Sequence, residues 1–358
     1  MLPYIGCIVL YIIIISSLLF IVHKHNQGII SCGSYYFYFL LFVIFGTFAY
    51  YTGDYAHYKN EVARLYGNLL NPTHMEMIYV FLIDLTNGNY TLWRLCVFSV
   101  MFLLLHIFLK LSNQNTFHAL FWYALLILPS AVSGRAPIGA LSLFIGIIFF
   151  IKGGYHYLLS ILFFFFSILA HKSIVPLFLL IPFAKIPFNS KLYPLLLLIL
   201  PIVGILVESF LLVLFVNQGW INEDGYKHYI SYEAPFLDSI GGIVEFLVYT
   251  LPFNFFVLLF IAQMLKIKIS DKLYVHLRGV TFIFIVFLIV ALVIFGYTNP
   301  MFYRYFEMLK YLLLLLLPFV FPKLYQMRFT YGNFLFLFVF IGGQVFRIML
   351  WAFYEYLG

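Results

Sequence analysis

Apolar runs of about twenty residues recur from end to end of this chain, each long enough to cross a hydrocarbon core of roughly 30 Å as a helix. Between them there is little else. Of 358 residues, 65% are hydrophobic and only 9% are charged, against about 25% charged in an ordinary soluble domain. This is the composition of an integral membrane protein, and no linker, internal repeat or soluble domain interrupts it. Three cysteines, Cys7, Cys32 and Cys96, are scattered in or beside apolar runs without paired or metal-ligand spacing. They read as small apolar helix residues.

The runs predict an all-α, polytopic protein forming one membrane domain over residues 1–358. Spans are expected near 3–22, 34–51, 92–111, 117–133, 135–151 and 155–170. A short return is expected at 173–184, followed by spans near 192–216, 242–265, 277–297, 303–321 and 331–354, or about twelve crossings. The first run has no basic segment before it and is followed by His23-Lys24-His25. A cleaved signal carries its charge in front, so this run is read as a membrane span with its N-terminus outside.

Charge placement sets the orientation. Lys24, Lys110, Lys152, Lys185, Lys191, Lys266, Lys268, Lys272, Arg278, Lys323 and Arg328 fall in alternate loops, accompanied there by Asp271. Basic residues accumulate on the cytoplasmic side. The net charge of +7 therefore reflects topology, and no nucleic-acid partner is expected. The opposite face then carries two longer loops, 52–91 and 217–241. The first holds Asp54, His57, Arg64, Glu76 and Asp84, with an amphipathic helix expected at 74–86 that turns Met77, Val80, Phe81 and Leu85 to one side. The second holds Glu223, Asp224, Lys227 and His228.

Two cationic stretches stand out against this background: Ser133-Gly134-Arg135-Ala136-Pro137 and Ala170-His171-Lys172-Ser173. Bringing an Arg or Lys to the bilayer centre costs about 2.5–3.5 kcal/mol on translocon scales, so cations bordering that depth call for an anionic partner. Arginine suits phosphate because its planar fork donates two parallel hydrogen bonds and stays charged. A leaving pyrophosphate gathers charge as its bond to a sugar carbon breaks, and fixed cations stabilise that transition state. The attacking hydroxyl needs a base, for which His171 and Asp54 are candidates. Pro137 could distort the start of its helix. Glu208 and Glu245, inside apolar runs, are held in reserve.

Several motifs resemble the EpsG family of polytopic polysaccharide polymerases, relatives of the Wzy-type O-antigen and capsule enzymes. They are Arg135-Ala-Pro-Ile-Gly-Ala-Leu-Ser-Leu, Gly153-Gly154-Tyr155 and Ile168-Leu-Ala-His171-Lys-Ser173, with Gly53-Asp54-Tyr55-x-x-Tyr58 before them and Tyr303-Arg304-Tyr305 near a late span. The similarity covers most of residues 30–180 in order and spacing. Pro137 departs from the family pattern.

The resemblance implies an inverting glycosyl transfer, without metal or cofactor, on the outer face of the bacterial cytoplasmic membrane. A growing glycan on undecaprenyl pyrophosphate would be moved onto a lipid-linked repeat unit, in the company of the lipid bilayer and a chain-length regulator. Arg135 and Arg304 would hold pyrophosphate, with Lys172 and Arg64 as further substrate-binding cations. His171 or Asp54 would assist the hydroxyl. Plainer readings stand beside these. Arg135 and Arg304 also fit interfacial anchors, Lys172 a side chain snorkelling to headgroups, His171 a hydrogen-bonded helix residue, and Asp54 a loop acid or cap. A flippase for lipid-linked oligosaccharide, or a glycosyltransferase using lipid monophosphate sugars, remains an alternative.

Overall fold

The computed structural model describes residues 2–27, 35–49, 53–66, 76–114, 116–188, 251–295, 300–327 and 331–357, and among them all regular structure is helical. In chain order the helices are α1 (Leu2–Asn26), α2 (Tyr35–Thr47), α3 (Gly53–Leu65), α4 (Met77–Leu85), α5 (Tyr90–Leu111), α6 (Phe117–Leu126), α7 (Arg135–Lys152), α8 (His156–Ala170) and α9 (Leu180–Phe183). After these come α10 (Leu251–Lys266), α11 (Lys272–Phe295), α12 (Pro300–Val320), α13 (Pro322–Tyr325) and α14 (Tyr331–Leu357). Tight 3-10 turns at Ala131–Ser133 and Lys172–Leu179 lead into α7 and α9.

Among the described residues, four stretches are long and apolar enough to cross a membrane: Ile5–Asn26, Tyr90–Leu111, Arg135–Lys152 and Lys272–Val290. Six shorter apolar helical stretches accompany them, from Tyr35–Thr47 to Leu335–Met349. Together they make a membrane-embedded helical protein. A count of twelve crossings is not confirmed among the described residues, where Tyr35–Thr47, Phe117–Leu126, His156–Ala170 and Leu251–Lys266 are helices of 10–17 residues at expected spans. The expected span 192–216, the loop 217–241, Glu208 and Glu245 lie outside the described residues.

Hydrogen bonds show how the helix ends are arranged. Lys152 Nζ donates to the Leu111 carbonyl at 3.2 Å, Lys185 Nζ to the Ile151 carbonyl at 3.1 Å, and the Arg278 guanidinium to the Ile267 carbonyl at 2.6 Å. The last carbonyls of a helix have no partner in their own helix and carry the negative end of its dipole. Lys152 and Lys185 therefore cap the ends of the neighbouring helices α5 and α7, and Arg278 holds the chain just past α10. Arg278 also sits 3.9 Å from the Phe188 ring centroid, which joins this cluster to the chain after α9.

A different arginine works near the opposite end of α5. Arg94, one turn into α5 and only 2% exposed, donates to the carbonyls of Thr47 at 2.9 Å and Ala49 at 3.2 Å, and to that of Gly46. It closes the end of α2 and so fixes where the chain leaves for α3. Hydrogen bonds to a charged group contribute about 1.5–3 kcal/mol each. Arg94→Met is expected to destabilise the protein by about 3 kcal/mol or more, read as a lowered unfolding midpoint in detergent. An unchanged midpoint would contradict this role.

The amphipathic helix expected at 74–86 forms as α4. Met77, Phe81 and Leu85 are exposed along one stripe, while Tyr79 and Ile83 are buried on the other side, where α4 packs on α5 and α8. Val80 is half-buried between them.

Candidate functional site

The site is assembled where α7 begins and α8 ends. Gly134, with φ +72°, starts α7 in the left-handed region, and a Cβ there would meet Val97 Cγ1 at 2.8 Å. Glycine answers both constraints. Arg135 follows as the first residue of α7. Pro137 lies in the first turn, where the missing N–H would have had no intrahelical partner. The helix start is not distorted, and Ile138 N–H bonds the Gly134 carbonyl at 3.1 Å.

The Arg135 guanidinium reaches three ways with two partners. Nε and Nη2 donate to Tyr58 Oη at 3.0 and 2.8 Å, and Nη1 donates to Glu76 Oε2 at 2.9 Å. Tyr58 comes from α3, and Glu76 is the residue that caps the start of α4. The other Glu76 oxygen, Oε1, lies 3.1 Å from His171 Nδ1. His171 occupies the break after α8, where φ −163° and ψ 108° take the chain out of the helix. Tyr305 Oη donates to the Ser173 carbonyl at 3.1 Å and ties this break to α12.

Glu76 and His171 are 7% and 8% exposed, so their charges are decided by each other. Burial pushes the Glu76 carboxyl up, but the His171 hydrogen bond and the Arg135 charge outweigh it and hold the group below the usual carboxylate range. Burial pushes the His171 imidazole down. Glu76 opposes that, the guanidiniums of Arg135 and Arg304 reinforce it, and the ring stays below its ordinary value. At neutral pH the group is a guanidinium, a carboxylate and a neutral imidazole. A carboxylate only accepts, so the ring proton sits on Nδ1. His171 Nε2 then bears a lone pair, is buried, and has no hydrogen-bond partner among the described residues. A ring held this way can accept a proton at Nε2.

A cavity of about 170 Å³ opens beside it, lined by Tyr58, Arg135, His171, Arg304, Glu307, Tyr311 and Arg347 among others. The space is enough to admit a small polar group as well as water. One face of α12 supplies Arg304, Glu307, Met308 and Tyr311, at the spacing that stacks side chains along a helix. Glu307 Oε1 is paired with Lys310 at 2.6 Å and lies 3.7 Å from Arg347 of α14.

Of the residues expected from sequence, His171, Arg135 and Arg304 meet in this cavity. Arg64 does not line it: it is half-exposed on α3 and paired with Glu61 at 2.9 Å, one turn away on the same helix. Lys172 does not line it either, being exposed just past the break. Asp54 falls in the first turn of α3, and the expectation for its side chain lies outside the described residues. Sequence reasoning passed over Glu76, Glu307, Lys310 and Arg347.

Gly139 allows α7 to approach the break this closely. A Cβ there would stand 2.9 Å from His171 Cβ and 2.8 Å from Ile174 Cγ1. Gly139→Ala is expected to displace His171 from Glu76 and lower activity on the order of ten- to a hundredfold, with protein still accumulating in the membrane. Full activity in the variant would show that the break tolerates the shift.

Fold and site together define a membrane-embedded helical protein with a cavity that three arginines, Arg135, Arg304 and Arg347, help to line. No family model, curated protein or solved structure matches the chain.

Proposed function

We propose that this protein is a polysaccharide repeat-unit polymerase, an inverting glycosyltransferase of the bacterial cytoplasmic membrane working on undecaprenyl-pyrophosphate-linked oligosaccharide at the outer face. The observation that carries the reading is the His171 ring, backed by the Glu76 carboxylate and sharing one cavity with the guanidiniums of Arg135, Arg304 and Arg347. In this reaction the acceptor hydroxyl gives its proton to His171 Nε2 while its oxygen forms a bond to the anomeric carbon of the donor glycan. The bond from that carbon to pyrophosphate breaks, and the electron pair leaves with the phosphate oxygen. Arg135 and Arg304 stabilise the charge where it develops, and attack from the face opposite the leaving group inverts the configuration.

The placement of the cavity supports an outer-face site. It lies at the ends of α7 and α8 away from Lys152 and Lys185, and basic ends belong to the cytoplasm. A second carboxylate at Glu307, beside the aromatic ring of Tyr311, supplies hydrogen-bonding and stacking groups suited to a sugar.

Surface glycan from a strain lacking the chain tests the proposal. One repeat unit per lipid anchor is the expected product, because units still reach the outer face and are not joined. Absence of any exported unit would instead make the protein a carrier of lipid-linked oligosaccharide.

A further inference from the structure

We propose that Glu76 is the positioning residue of the site, holding the base and the anion clamp as one unit: Oε1 fixes the His171 tautomer and Oε2 fixes the Arg135 fork. The inference rests on the reading of His171 as base, but its test is independent of activity.

Both Glu76 oxygens are committed within hydrogen-bond range to groups from different parts of the chain, Arg135 at 2.9 Å and His171 at 3.1 Å. An ion pair with Arg135 alone would suffice to neutralise a buried guanidinium, so the second contact calls for its own explanation. A neutral imidazole has two tautomers, and in only one does Nε2 accept a proton. The acceptor-only carboxylate at Nδ1 selects that tautomer. It also stabilises the imidazolium formed when the proton arrives, which strengthens the base at the moment of transfer. The charged groups acting on the ring are Glu76 before α4, Arg135 on α7 and Arg304 on α12. Glu76 is the anion of this set, and both guanidiniums oppose protonation. Without Glu76 the ring would face two cations alone.

The backbone is arranged to hold this carboxylate in place. Glu76 caps α4, with its carbonyl accepting the Tyr79 N–H at 2.9 Å. Tyr79 Oη donates to the Arg135 carbonyl at 3.4 Å, and Trp93 Nε1 donates to the Tyr79 carbonyl at 3.2 Å. These bonds link α4, α5 and the start of α7, so the position of Glu76 is set by three elements.

The experiment is a nitrogen-15 NMR titration of histidine-labelled full-length protein in lipid. Wild-type His171 is expected to be neutral at pH 7 with its proton on Nδ1; a proton on Nε2 would overturn the proposal without any variant. In Glu76→Gln the imidazole should titrate at lower pH than in wild type, because the anion opposing two guanidiniums is gone, and the Nδ1 preference should weaken. Glu76→Asp, which keeps the carboxylate, should restore part of both effects, as a merely space-filling role would not. Identical titration and tautomer in wild type and Glu76→Gln would refute the assignment. Should Glu76→Gln fail to accumulate, the wild-type tautomer and the Glu76→Asp titration carry the same decision, an unshifted Asp variant with the proton on Nε2 being fatal. In the joining reaction, Glu76→Gln is expected to lose at least on the order of tenfold in kcat, and its acid limb should move to lower pH.

Discussion

Arg135→Lys is expected to lose about a hundredfold in polymer formation although it conserves the charge. Arginine at this position donates in three directions, two to Tyr58 Oη and one to Glu76, and its guanidinium carbon lies 4.5 Å from the Tyr58 ring centroid. An ammonium is a compact point charge that cannot keep this planar arrangement and offer a fork to a phosphate. A hundredfold loss corresponds to about 2.7 kcal/mol of transition-state stabilisation, the scale of one fixed donor facing a developing oxyanion. Accumulation should be little changed, since the lysine still neutralises Glu76. Polymer ladders of wild-type length and intensity from Arg135→Lys would reduce this residue to an anchor at the membrane surface.

His171→Gln separates the base from the structure around it. The glutamine amide can still donate to Glu76, so the carboxylate keeps a partner, but no atom remains that can take a proton. Loss of a positioned general base costs about 10²–10⁴-fold, and single repeat units should be stranded on the outer face. The pH dependence has a definite sign. On the proposed reading His171 acts as the neutral ring, and it titrates below its ordinary value of about 6.5, held down by burial against the pull of Glu76. Wild-type activity should therefore rise through that lowered pKa and stay level above it, and the acid limb should vanish from the residual activity of His171→Gln. An unchanged pH profile would remove His171 as the base and turn attention to Asp54.

The helices were legible in the sequence because lipid imposes a simple rule: a long apolar run becomes a helix. Arg135 and His171 were legible for the complementary reason, as polar residues bordering apolar runs. Arg94, Glu307, Lys310 and Arg347 could have been found by the same rule that flagged Glu208 and Glu245. All four stand within apolar runs, where an unpaired charge is costly, and the structure gives Arg94, Glu307 and Lys310 close polar partners, with Arg347 alongside Glu307. Glu76 was harder. It was one acid among several in a long polar loop, and its partners lie 59 and 95 residues away. The signal it did give was its place directly before the apolar stretch Met77–Leu85, where an acid is drawn to the membrane boundary beside Arg135. Arg64 misled for the opposite reason. A cation on the expected outer face looks available until its i,i+3 neighbour Glu61 is seen to hold it.

On the proposed reading this cavity joins lipid-linked glycans. Purified protein in liposomes, supplied with lipid-linked repeat units extracted from a strain lacking the chain, tests it most directly. Oligomers of increasing length are expected, together with one free undecaprenyl pyrophosphate for each new linkage, both lost in His171→Gln. Repeat units recovered intact, with no free undecaprenyl pyrophosphate from a correctly inserted wild-type protein, would contradict it.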